Sequence, residues 1–197
     1  MPIDFLPTAI NAGGQVVGAN HFEPGLWDHA MLWKDGKEQD LGTLPGGIIS
    51  HANAINDRGQ VVGVSTSQEV GDHTSTWVDH AFLWEDGKMR DLGLPRHGKG
   101  GEANSINNKG QVVGTSDIRY QKMEGKTLNY IAGPQAILWM NGNAYNLNDL
   151  ITKETDWVLN QAFAINDRGQ IVGLGYRTKD ENGHLVRSLR VFFLTPR

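Results

Sequence analysis

The sequence predicts an all-β protein built from four repeated units of four short strands each, and three observations carry that expectation. A ten-residue module returns four times without gaps, at Ala9–Gly18, Ala54–Gly63, Ser105–Gly114 and Ala164–Gly173; its second copy reads Ala54-Ile55-Asn56-Asp57-Arg58-Gly59-Gln60-Val61-Val62-Gly63. A second module follows, His80-Ala81-Phe82-Leu83-Trp84-Glu85-Asp86-Gly87-Lys88 and then Asp91-Leu92-Gly93, with counterparts at His29–Gly42 and Gln135–Asn148. Finally, no stretch sustains a 3.6-residue apolar period, and the residues around both modules alternate in polarity or are β-branched and aromatic.

Within each unit the first strand ends at the Ile of the first module. Asn56-Asp57-Arg58-Gly59 is a tight turn, with Asn at its first position and Gly where the backbone needs positive φ. The second strand runs from Gln60 to about Ser65. A connection of variable length follows (Asn20–Asp28, Thr66–Asp79, Asp117–Pro134, Tyr176–Leu189) and is expected to be a loop. The third strand carries Ala-Phe-Leu-Trp, and Asp86-Gly87, like Asp35-Gly36 and Asn141-Gly142, forms a two-residue primed hairpin turn. The fourth strand ends in Asp-Leu-Gly. Long connections (Thr43–Ser50, Leu94–Gly101, Asp149–Asn160) lead to the next unit, and only Leu150–Leu159 could hold a helical turn.

Radial repetition of four-stranded units describes the blades of a β-propeller. The fourth unit stops at Arg190-Val191-Phe192-Phe193-Leu194-Thr195-Pro196 without an Asp-Leu-Gly strand, whereas Ile3-Asp4-Phe5-Leu6-Pro7 precedes the first unit and matches Asp91-Leu92-Gly93-Leu94-Pro95. The expectation is one domain over residues 1–197, a four-bladed ring with blades at about 8–42, 52–93, 103–148 and 162–197 plus 3–7. Residues 3–7 would lie beside Val191–Leu194 and leave no sheet edge open. A loosely stacked array, or part of a larger ring, is the alternative.

Composition narrows the function classes. With 39% apolar and 20% charged residues over 197 positions the chain has a sizeable core and is not of disordered type. No apolar run approaches the roughly 20 residues of a membrane helix. Lys and Arg number 18 against 22 Asp and Glu and are scattered, which argues against a nucleic-acid partner. The absence of cysteine excludes disulfides, Cys-ligated zinc and thiol chemistry. Met1-Pro2-Ile3-Asp4-Phe5 does not read as a signal peptide.

Most repeated residues serve the fold. Trp33, Trp84, Trp139 and Leu194 share a column and should fill the space between neighbouring sheets. Ala9, Ala54, Ser105 and Ala164 are small where the innermost strands converge. Gly18, Gly63, Gly114 and Gly173 mark close backbone approach. His29 and His80 share their column with Gln135 and Arg190, so a structural hydrogen bond explains them better than catalysis or metal binding. These modules, from Ala-Ile-Asn-Asp-Arg-Gly-Gln-Val-Val-Gly to His80-Ala81-Phe82-Leu83-Trp84 and Asp-Leu-Gly, resemble the bacterial HAF-repeat family of extracellular repeats along essentially the whole chain. The resemblance implies a bacterial, exported (extracellular or periplasmic) protein and brings no catalytic residue or cofactor with it.

Strand alternation puts both classes of long connection on one face of the ring, where binding groups concentrate. Candidate ligand-binding residues there are His21, Trp27, His51, His73, Trp77, Glu102, Tyr120, Tyr130, Trp157, Gln161, Tyr176 and Arg177. Leu6, His51, Glu102 and Gln161 precede the four innermost strands by the same distance and differ while their neighbours repeat, so they should ring the mouth of a central channel. Exposed Trp and Tyr beside polar groups suit a glycan or a protein ligand. The alternative is a hydrolase or lyase acting on a saccharide or ester with His51, His97 and Glu102 as acid and base. His21, His51, His73 and His97 could hold a divalent metal, although no sequence-local metal spacing, nucleophile elbow or phosphate loop is present and no cofactor is expected. A platform role for assembly is the third possibility.

Overall fold

The computed structural model describes residues 3–20, 28–70, 75–124, 127–152, 156–181 and 184–196. These form four antiparallel sheets in chain order. The first contains β1 (Leu6–Ile10), β2 (Val16–Ala19), β3 (Ala30–Lys34) and β4 (Lys37–Asp40); the second β5 (Ser50–Ile55), β6 (Val61–Val70), β7 (Ser75–Glu85) and β8 (Lys88–Asp91). The third contains β9 (Gly98–Ile106), β10 (Val112–Glu124), β11 (Thr127–Met140) and β12 (Asn143–Asn146). The fourth has three strands, β13 (Trp157–Ile165), β14 (Ile171–Glu181) and β15 (His184–Leu194). A single helical turn, α1 (Leu147–Leu150), follows β12, somewhat earlier than expected. No described helix is long and apolar enough to cross a membrane.

Local chemistry sets the hairpins. Gly59 adopts φ 78° and its N–H donates to the Asn56 carbonyl at 3.0 Å, closing the first turn. Asp86 and Gly87 take φ 51° and 79°, the double positive φ of a type I′ turn. The connections expected as loops are instead continuations of the ladders. Thr66↔Asp79 extends to Val70↔Ser75, Asp117↔Pro134 to Glu124↔Thr127, and Tyr176↔Leu189 to Glu181↔His184. Three two-stranded arms therefore replace three predicted loops. Their mixed polar residues read as loop because local alternation alone does not distinguish a projecting ladder from a connection.

Consecutive sheets pack face to face in three joints. Ala30, Leu32 and Leu41 meet Ala52, Ile55 and Val61; Ala81 and Leu83 meet Ala103, Ile106 and Val112; Ala136, Leu138 and Leu147 meet Ala162, Ile165 and Ile171. Trp84 and Trp139 fill the joints in front of their sheets, as expected, at 8% and 2% exposure. Ala52, Ala103 and Ala162 are wholly buried where the sheets approach; in the predicted column Ala9 and Ala54 pack against the core while Ala164 is exposed. At Gly63 a Cβ would collide with the His51 carbonyl, which confirms the close approach expected of that column.

Polar contacts cross each joint in register. Asn11, Asn56 and Asn107 donate through Nδ2 to the carbonyls of Asn56, Asn107 and Asn166, at 3.0, 3.1 and 2.9 Å. Thr8 Oγ1, Asn53 Nδ2 and Asn104 Nδ2 donate to the carbonyls of Ala52, Ala103 and Ala162, at 2.6, 2.9 and 2.9 Å. Each sheet is thus locked to the next at two fixed points. Within sheets, His29 and His80 contact Asp40 and Asp91 at 2.9 and 2.8 Å, and Gln135 accepts from Asn148, so this column is structural as expected.

Among the described residues, the N-terminal segment does not pair with β15 as ring closure would require. Leu6 and Pro7 pair with Ala19 and Gly18 in the first sheet, and the Asp4 N–H donates to Glu38 at 2.6 Å. Among the described strands β15 pairs with β14 alone, and Val191 and Phe193 remain 66% and 64% exposed. The reason is register. Phe5 precedes Leu6 as Ser50 precedes His51, so residues 3–5 take the path of the segment entering a sheet rather than that of a fourth strand. Among the described residues no strand pairing joins the first sheet to the fourth.

Candidate functional site

A cleft of about 680 Å³ lies between the third and fourth sheets, beside the open edge of β15. Its walls include Leu138, Met140, Leu150, Ile151, Trp157, Phe192, Leu194 and Pro196, with Gln111 and Thr152 as polar groups. Two departures from the repeat create it. Leu194 stands in the column of Trp84 and Trp139, so the filler of this joint is smaller. Among the described residues the fourth sheet also has only three strands. In the second and third sheets the fourth strand brings Met89 and Ala144 against the corresponding joints. Volume and apolar lining are those of a binding site.

The open edge carries a charge. Arg190 occupies the column of His29 and His80, whose partners Asp40 and Asp91 lie on fourth strands. With no such strand, Arg190 is exposed, and the described side-chain bond is Nη1 to the Leu189 carbonyl at 3.0 Å. In the third sheet the column changes on both strands together, with Gln135 on β11 and Asn146 in the Asp position of β12. There Gln135 accepts from Asn148, which follows β12 and also donates to Asn146.

The sequence-predicted residues are spread widely. His21, Trp27 and His73 lie outside the described residues. Tyr120 and Tyr130 are on the arm of the third sheet, at the register pairs Tyr120↔Ile131 and Gln121↔Tyr130, where the description reaches the backbone only. Trp77, on the arm of the second sheet, is 49% exposed. His51 Nε2 lies 3.3 Å from Asp28, and Glu102 accepts from Asn53 at 2.9 Å. His97 has φ 65° and lines a separate hollow of about 260 Å³ with Arg96, Tyr145 and Asp149. No described contact joins His51, His97 and Glu102 into one constellation. Among the described residues no three His, Asp or Glu side chains are grouped to hold a metal ion. Gln161 is half-buried on β13. Trp157 pairs with Arg177 across the ladder, and Arg177 Nε binds Asp156 at 2.6 Å. Tyr176 precedes Arg177 on β14.

Of the predicted ligand-binding residues, Trp157 lines the larger cleft. The residues that make the cleft and its edge, Leu194, Phe192 and Arg190, were read as fold positions. The signal is in the sequence: Leu in a Trp column and Arg in a His column, in the unit with no counterpart of the Asp-Leu-Gly strand.

One carboxylate is electrostatically distinct. The backbone N–H of Ala12, at 2.9 Å, and then Asn108 Nδ2, at 2.8 Å, hold Asp57 below its ordinary value of 3.8, against a small opposing effect of burial. Asp57 bridges the first three sheets at their turns and belongs to the scaffold.

No curated protein and no solved structure matches the chain. A family model described as protein of unknown function (DUF3466) matches residues 50–189, a span that takes in the second and third sheets and most of the fourth. The match carries nothing specific to HAF repeats. By this match over well more than half of its length, the chain belongs to the DUF3466 family.

Proposed function

We propose that the four sheets are propeller-type blades held as an open arc, and that the protein is a binding module which takes an extended segment of a partner protein as the missing fourth strand of its last sheet. One observation carries this reading: the unpaired edge of β15 runs beside an apolar cleft of about 680 Å³ at the position where the other three sheets hold a strand. Main-chain hydrogen bonds to an open edge supply affinity, and pockets for alternate side chains supply selectivity.

The repeat specifies what such a segment would look like. On β8, Met89 lies opposite Trp84 and Asp91 opposite Phe82, and Asp91 reaches His80. The equivalent segment on β15 would set an apolar residue opposite Leu194 and an acid opposite Phe192, within reach of Arg190. The favoured ligand is therefore an extended peptide with an apolar residue followed two positions later by Asp or Glu. Such a partner also suits the edge electrostatically, since a guanidinium forms charge-assisted bonds with a carboxylate.

A capped peptide with the sequence Lys-Met-Arg-Asp-Leu-Gly, that of residues 88–93, is the direct probe. Titration by fluorescence anisotropy should show saturable binding. Arg190→Glu, or lysine at the peptide's acid, should weaken it about tenfold or more, the worth of one charge-assisted hydrogen bond. No saturable binding, or binding indifferent to both changes, would overturn the reading.

A further inference from the structure

The two ends of the arc expose opposite halves of the joint that the chain makes three times internally. On the last sheet, Val191 and Phe193 occupy the columns of Ala81 and Leu83, yet they are 66% and 64% exposed where those residues are 1% and 4%. On the first sheet, Ile10 occupies the column of Ile55, Ile106 and Ile165; it is 67% exposed where they are 7–8%. We infer that these faces dock on one another between chains, the last sheet of one copy against the first sheet of a second copy, so that the protein assembles head to tail.

Three features point to a copy of this chain rather than to an unrelated protein. The first is a paired change of side chain. Inside the chain Asn53 reaches Glu102 and the Ala103 carbonyl, a polar contact across the joint. At the ends the two columns become Phe163 and Leu6, apolar together and exposed at 45% and 53%. A face tuned to a foreign partner has no reason to change in step with the far end of its own chain. The second is an unfilled hydrogen bond. Asn166 Nδ2 donates to Gln170 at 2.8 Å, but among the described contacts it makes no bond across a joint such as Asn11, Asn56 and Asn107 make. The Asn11 carbonyl of another copy is the acceptor that the repeat provides. The third is exposure. Ile10, Val191 and Phe193 stay exposed, and among the described residues no strand pairing joins the end sheets, so the same chain does not supply their cover.

Besides the carbonyl bond that Phe163 cannot make, a second polar contact is missing from the intermolecular joint. The N–H groups of Ala12, Asp57 and Asn108 donate to the carboxyl or amide of Asp57, Asn108 and Asp167, whereas Asp167 would face Ala12, which has no acceptor. The end joint is accordingly more apolar and less polar than the internal ones, in keeping with a contact between separately folded copies. It is heterologous, so two different faces are used by every copy.

That asymmetry provides the test. The wild-type chain should form dimers or larger species by light scattering and sedimentation. Ile10→Glu and Phe193→Glu alter exposed side chains, and unchanged circular dichroism would confirm that both fold. Each variant alone should be monomeric, because each lacks one face. Mixed, they should form a 1:1 dimer through the intact last sheet of the first variant and the intact first sheet of the second. A monomeric wild type at 100-fold the concentration of the mixing experiment would overturn the inference. So would self-association of either variant alone, which indicates like-to-like contact, or failure of the mixture to pair. Because Phe193 borders the cleft and Ile10 lies on the first sheet away from it, peptide binding at β15 is read in Ile10→Glu, separately from assembly.

Discussion

At the scale of single residues, the carboxamide of the repeated Asn does more than close a turn. Asn56, only 4% exposed, donates to Gln60 and to the Asn107 carbonyl, and its Oδ1 accepts the N–H groups of Arg58 and Gln60. Removing it strands several buried partners, so Asn56→Ala should cost about 3 kcal/mol in urea denaturation. Asn166→Ala, at a residue whose described side-chain bonds stay within its own exposed turn, should cost about 1 kcal/mol. Equal costs would show that the joint-crossing bond contributes nothing. Asp57 adds a pH dependence. Its folded value is depressed, so its stabilisation is fully present above 3.8 and is lost as pH falls below that. The stability gap between wild type and Asp57→Asn, measured by urea midpoints, should therefore be largest near pH 7 and shrink by pH 2.5. A constant gap would assign the effect to shape rather than charge.

At the scale of elements, the repeat explains both what is built and what is left open. The I′ turns at Asp35-Gly36, Asp86-Gly87 and Asn141-Gly142 are legible in any one unit, because they depend on φ at two adjacent residues. The arms were not legible. A strand such as Val61–Val70 is apolar at one end and polar at the other, and local alternation does not tell a projecting ladder from a loop. The cleft is an element-scale vacancy, and filling it is a direct check. Leu194→Trp restores the side chain found at Trp84 and Trp139. It should stabilise the fold by about 1–2 kcal/mol through added apolar burial, and it should weaken binding of the peptide probe. A fall in melting temperature would mean that the cleft is not shaped by the missing indole.

At the scale of the whole molecule, the sheets form a linear array in which each packs only on its neighbours, so stability should vary along the chain. The second and third sheets are covered on both faces, the first and fourth on one. In Ile10→Glu, which removes assembly, amide hydrogen exchange should be slowest in β5, β6, β9 and β10 and faster in β2 and β14; uniform exchange would indicate a single cooperative unit. Covalent order determined much of this protein. Where Asn, Asp and Gly stand determines the turns, the alternation of small and large apolar residues determines which face is buried, and four copies determine four sheets. These are properties of short stretches, and a local sequence is enough to specify them. Whether the first and last sheets meet is a different kind of question. Ile3–Pro7 resembles a fourth strand in its residues, but Phe5 follows the path of Ser50 because the bonds from Leu6 and Pro7 to Ala19 and Gly18 set its register. Among the described residues no pairing joins β1 to β15, and Ile10, Val191 and Phe193 stay exposed. Only the folded chain adds up the packing of sheet on sheet, and from that sum come the open edge, the cleft beside Arg190 and the two uncovered faces.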